Sequence, residues 1–258
     1  MECIFYKYSI EMTYFCHILS HRQKGNMKLY LILLIIFGSI FPAFALAGGP
    51  GFLGGLGTGP VFSEVSGDHA SGPDKFGWHA TLFVAYPLSV NRFLSFELLY
   101  IQKGSRAFND PADSGRGSFR DYKLNLHYVE FPVVMYWQPE AFAAKEYFDR
   151  LWFGAGGSLA ILTGHYEEDG GLDITEREAE ARPFRPLELN LMGGVSYHLS
   201  DQWVLSLRIH QGVTPFRKHG TEGGDSRYWW NWHNQFGQYH TAWSFGVRYA
   251  FPFPSQMR

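Results

Sequence analysis

The 258-residue sequence predicts an all-β fold, an eight-stranded antiparallel up-and-down transmembrane β-barrel. Three observations carry that expectation. Apolar–small alternation recurs in segments of ~10 to 15 residues, the length a tilted strand needs to cross a bilayer. The links between segments alternate between tight turns and long, polar, glycine-rich loops. The last segment alternates strictly, with Trp243, Phe245, Val247, Tyr249 and Phe251 on one side and Ala242, Ser244, Gly246, Arg248 and Ala250 on the other. Strand side chains point to opposite faces in turn, so one face is greasy and aromatic and the other small or charged. A soluble strand with its apolar side on a core shows the same alternation, and the rest of the chain has to decide.

At the start, Met27-Lys28 opens a second candidate N-terminus. Leu29 to Ile36 is an unbroken apolar run that continues through Phe37, Ile40 and Phe41, and Ala45-Leu46-Ala47 precedes Gly48. A positive n-region, a short h-region and an A-x-A site describe a secretory signal peptide over 27–47, cleaved after Ala47. The run falls short of the ~20 apolar residues of a spanning helix, and an uncleaved anchor is the alternative. Residues 1–26 have no periodic pattern and are expected to be a gene-start extension outside the fold. Both cysteines, Cys3 and Cys16, lie there, so a chain starting at Gly48 has no disulfide, thiolate nucleophile or cysteine-ligated metal. That chain holds 18 basic and 22 acidic residues, without the basic footprint of a nucleic-acid binder. Its length of about 211 residues suits one domain over 48–258.

Eight strands follow in order. Gly51 to Glu64 is glycine-rich, and Phe76 to Leu88 contains Thr81-Leu82-Phe83-Val84-Ala85-Tyr86. Arg92 to Lys103 sets Leu94, Phe96, Leu98 and Tyr100 against Ser95, Glu97 and Lys103. Tyr122 to Trp137 puts Val129, Phe131, Val133 and Met135 outward and Glu130 and Pro132 inward. Leu124 and Leu126 have the wrong parity for that outer face, so a β-bulge near His127 is expected to restore it. Pro132, awkward in a paired strand, marks a further irregularity. Leu151 to Glu167 sets Leu151, Phe153, Leu159 and Ile161 against Gly154, Gly156, Ser158 and Ala160. Pro186 to Leu199 and Trp203 to Val213 repeat the pattern, with Glu188, Asn190, Arg208 and His210 inward. Tyr239 to Phe251 is the last.

Ser89-Val90-Asn91 and Ser200-Asp201-Gln202 are tight turns, with a longer link over 138–150. In contrast, 65–75, 104–121, 168–185 and 214–238 are long polar loops. Short periplasmic turns alternating with long extracellular loops characterise an outer-membrane barrel, which a soluble barrel has no reason to imitate. Trp137, Trp152 and Trp203 fall near the turn-side ends, where an aromatic girdle belongs.

Ser244, Gly246, Tyr249 and Phe251 resemble the C-terminal assembly signal of bacterial outer-membrane barrels. Leu98-Leu99-Tyr100-Ile101-Gln102-Lys103-Gly104 followed by Tyr128-Val129-Glu130-Phe131-Pro132-Val133 resembles the paired signature of the PorT-like outer-membrane β-barrel family of diderm bacteria. The resemblance covers Gly51 to Phe251 and implies a small barrel in the outer membrane. Some members are associated with a secretion apparatus. The implied partners are outer-membrane lipid, the barrel-assembly machinery and a protein of the envelope. Two features depart from the pattern: the chain continues past Phe251, and the last loop is unusually aromatic.

Candidate chemistry is sparse. Glu97, Glu130 and Glu188 are placed to meet Arg208, His210 and Arg248 inside the barrel as a structural charge cluster, because so narrow an interior barely holds its own side chains. His165, His219, His233 and His240, near Glu167, Glu168 and Asp169, lack ligand spacing and are expected as solvated loop residues, with no metal and no cofactor. Ser226, His233 and Asp225 share a loop without any nucleophile-elbow motif, so no catalytic residue is assigned. Tyr228, Trp229, Trp230 and Trp232 form a candidate recognition patch or an interfacial anchor. The expected role is a structural or partner-binding barrel; a rim-sited enzyme or a narrow pore is the alternative.

Overall fold

The structure, a computed structural model, describes residues 52–66, 73–107, 122–143, 147–218 and 237–251. The signal segment, the aromatic patch at 228–232, His219, Asp225, Ser226, His233 and the tail after Phe251 lie outside the described residues.

The strands form where the alternation is sustained: β1 (Leu53–Ser66), β2 (Lys75–Ser89), β3 (Arg92–Ala107), β4 (Tyr122–Trp137), β5 (Leu151–Asp169), β6 (Leu172–Asp173), β7 (Leu187–His198), β8 (Trp203–Gly212) and β9 (Tyr239–Ala250). Each long strand pairs antiparallel with the next, and β1 pairs with β9, so eight strands close into an up-and-down barrel. The two-residue β6 only doubles back on the end of β5, around Gly170 and Gly171 at φ 57° and 81°. Two short helices, α1 (Glu140–Ala143) and α2 (Thr175–Ala181), lie in the links before and after β5. Closure gives each of the eight long strands a neighbour on both sides, a requirement in lipid, where no water replaces a missing backbone partner.

The outer face is apolar: Leu56, Trp78, Leu82, Phe96, Leu189, Leu191, Leu205, Leu207, Ile209 and Phe245 are all exposed. Trp137 and Trp203 join it at the turn-side end, as expected. Trp152 does not, because it shares the inward parity of Gly154 and packs against Val134, Tyr136 and Met192.

The expected bulge sits on the other strand. At His127 the β4–β5 register shifts, with His127 opposite Gly164 and Tyr128 opposite Leu162, so Thr163 of β5 is the extra residue. The alternation of β4 is unbroken, and Leu124 and Leu126 stay inward and fully buried with Val61, Val65, Leu99, Ile101 and Phe216. An apolar patch inside the barrel, rather than a flipped register, accounts for their parity.

Prolines interrupt the ladder twice. The β3–β4 pairing lapses at Phe131 and Pro132, as expected at a residue without an N–H. The β1–β9 pairing runs to Thr58↔Val247 and resumes at Val61↔Ser244, with Pro60 in the gap. There the carbonyl of Phe245, denied a backbone donor, accepts instead from His79 Nε2 at 3.1 Å. The side chain of a β2 residue thus repairs the seam where the barrel closes.

Candidate functional site

The candidate site is the lumen. Inward positions of β3, β8 and β9 bring Glu97, Arg208 and Arg248 together. Arg208 Nη1 and Nη2 donate to the two Glu97 oxygens at 2.7 and 2.8 Å, and Arg248 Nη2 donates to Oε1 at 2.8 Å. Ser95 Oγ adds a donor at 3.0 Å. On the far side, Tyr136 OH accepts from Arg248 Nη1 at 3.0 Å and also from Arg208 Nη2. All three charged side chains are buried, and each guanidinium has a carboxylate partner.

One layer toward the loops, Lys103 Nζ lies 2.6 Å from Glu130 Oε1, and Ser158 Oγ donates to Oε2 at 2.8 Å. His210 stands 3.9 Å from Glu130 and hydrogen-bonds Ser244 Oγ through Nε2 at 2.9 Å. Glu188 does not reach the arginines; its partner is His240 Nδ1 at 3.1 Å. His240 is therefore a buried lumen residue, stacked on Phe216 at 3.9 Å, and not a solvated loop histidine. His165 likewise packs its ring 4.8 Å from Phe184. Among the described residues, no three His, Cys, Asp or Glu side chains converge as a metal site.

A charged clasp stands at the loop end of β5. Arg217 forms a bidentate pair with Glu167, both contacts at 3.0 Å, and Tyr122 OH donates to the same carboxylate at 2.5 Å. Arg217 Nε also donates to Arg182 O at 3.1 Å, tying the segment after α2 over the barrel. Arg182, just after α2, lies 2.5 Å from Glu178; this hydrogen bond holds the Glu178 carboxyl below its ordinary range, with help from the Arg182 and Arg217 charges.

The sequence named Glu97, Glu130, Glu188, Arg208, His210 and Arg248 for the lumen, and the structure buries all six there. It missed Tyr136 and the Glu167–Arg217 clasp. Tyr136 was legible from the parity it shares with Glu130, whereas Arg217 lies beyond any strand and gave no periodic signal. In the last strand, Ser244 and Gly246 face inward. A Cβ on Gly246 would lie 2.8 Å from Ser206 Oγ and 3.2 Å from the His79 ring, so a larger residue there would have to displace both side chains. Tyr249 faces out beside Trp203 at 4.9 Å and Phe251 at 5.8 Å.

An apolar exterior around a charge-filled, closed eight-stranded interior defines an integral membrane β-barrel. The chain belongs to the outer membrane protein beta-barrel domain family, whose model matches residues 54–217. The family places the protein in the outer membrane. The chain is similar in fold to Ail of Yersinia pestis, at 11% identity and TM-score 0.40, covering 78% of this chain and 99% of that one. It is similar to Neisserial surface protein A, at 11% and 0.42, over 77% and 97%. A third likeness is to OprG of Pseudomonas aeruginosa, at 12% and 0.36, over 78% and 95%. No curated protein matches the sequence.

Proposed function

We propose that this is a non-enzymatic outer-membrane barrel of the PorT-like kind, acting as a structural or partner-binding module through its long loops. The supporting observation is the buried Glu97–Arg208–Arg248 fork, which crosses the interior from β3 to β8 and β9 and fills it with paired side chains. The six lumen residues serve to hold the wall together. In this reading the signal peptide is removed after Ala47, the long loops face outward, and Ser244, Gly246, Tyr249 and Phe251 are read by the barrel-assembly machinery. The partner is a protein of the envelope, with the 228–232 aromatics as a contact.

Single-channel recording in planar bilayers tests the reading. The folded protein is expected to give no sustained open-channel current. A steady, concentration-dependent conductance would assign it instead as a narrow pore.

A further inference from the structure

Below the fork the barrel is not filled. A cavity of about 240 Å³ opens at the short-turn end, walled by Leu53, Phe83, Phe93, Trp152 and Val204 and floored by Tyr136 and Arg248. We propose that this cavity is a binding site for a small monocarboxylate with an apolar body, such as an aryl-alkanoic acid.

Shape and charge point the same way. The walls are aromatic and ordered: Phe93 stacks on Tyr136 at 4.6 Å and packs on Trp152 at 5.2 Å, while Trp152 lies 5.7 Å from His198. The volume is below the ~300–1,000 Å³ of drug-sized pockets, so the body that fits is small. At the floor, Glu97 is one carboxylate shared by two guanidinium groups, and Arg208 already holds both of its oxygens. The fork therefore carries a formal surplus of one positive charge, and Arg248 is the member that lines the cavity. The other charged groups in the lining are Arg92 and Asp201, which cancel, and the neutral Ser95, Ser196 and His198 add polar contacts. With one carboxylate between two guanidinium groups, the floor of this apolar cup favours an anion, since a charge-assisted contact gains strength where apolar walls limit water. A carboxylate directed to the floor would complete a two-to-two pairing, with its apolar body against Phe83 and Trp152.

The test uses protein extracted from outer membranes into lipid nanodiscs, titrated calorimetrically with 3-phenylpropionate and, in parallel, 3-phenylpropanol. The acid should bind saturably at one site, and the alcohol about tenfold or more weakly, having lost the charge-assisted contact. Ala85→Trp fills the cup while replacing no charged group and should abolish binding while the band stays heat-modifiable; Ser196→Phe does the same from the opposite wall. Folded wild-type protein that gives no saturable binding overturns the proposal, with no variant needed. So does equal binding of acid and alcohol, or binding that survives in a folded, filled variant.

Discussion

Glu97 illustrates how much a single side chain carries here. It is buried among strands far apart in sequence, and both guanidinium groups depend on it. Glu97→Gln removes the charge and keeps the shape, leaving two cations facing each other without water. Breaking a buried pair from one side costs ~3–5 kcal/mol, so the urea midpoint of the barrel should fall sharply. Arg208→Met should cost less, because Glu97 then keeps Arg248 as its partner. Equal small effects of the two changes would mean that water reaches the fork. Alternation in β3, β8 and β9 told which charges point inward. Which carboxylate meets which cation was not legible, because that depends on the stagger of strands more than a hundred residues apart: 111 for Arg208 and 151 for Arg248. Glu188 was therefore assigned to the wrong partners.

At the scale of the strand, the closing seam is the informative place. Pro60 cannot donate to Phe245 O, and His79 does so from the neighbouring strand. Its Nε2 is taken as the protonated nitrogen from the acceptor it faces. His79→Ala should leave that carbonyl unpaired at a cost of ~1–3 kcal/mol. Pro60→Ala restores the N–H, so in a double-mutant cycle it should return most of the loss. If the double variant is no more stable than His79→Ala alone, the histidine is merely packing. Most strand boundaries could be read to within two residues, and β4 spans the predicted Tyr122–Trp137, but β3 runs past its expected end at Lys103 to Ala107. The bulge falls on β5 rather than β4 because Leu124 and Leu126 face the lumen and not the lipid. Parity gives a side but not its chemistry, and a barrel interior can be apolar in one sector and charged in another.

For the whole molecule, the outer face makes lipid or detergent obligatory. Protein refolded in detergent should migrate differently on gels before and after boiling. Leu207→Arg, on the exposed face midway along β8, should lower stability by ~2–4 kcal/mol, as a cation near the bilayer midplane does. A water-soluble, folded product without detergent, indifferent to that change, would turn the aromatic exterior into a contact surface of another kind. The architecture was legible because two independent periodicities, within strands and between loops, agree on it. The long loops have neither periodicity, and there composition alone suggested chemistry. One consequence follows from Phe251 N donating to Gly54 O at 2.7 Å and Ala250 pairing with Gly55. The wall is a ring cut once, and backbone pairing runs across the cut on both sides of the Pro60 gap. Joining the two ends and cutting at another turn would leave the same wall and lumen but a different strand at the chain's end. In the proposed reading the aromatic last strand belongs to the position of the cut, and a circular permutant separates what the barrel needs to stand from what it needs to be delivered.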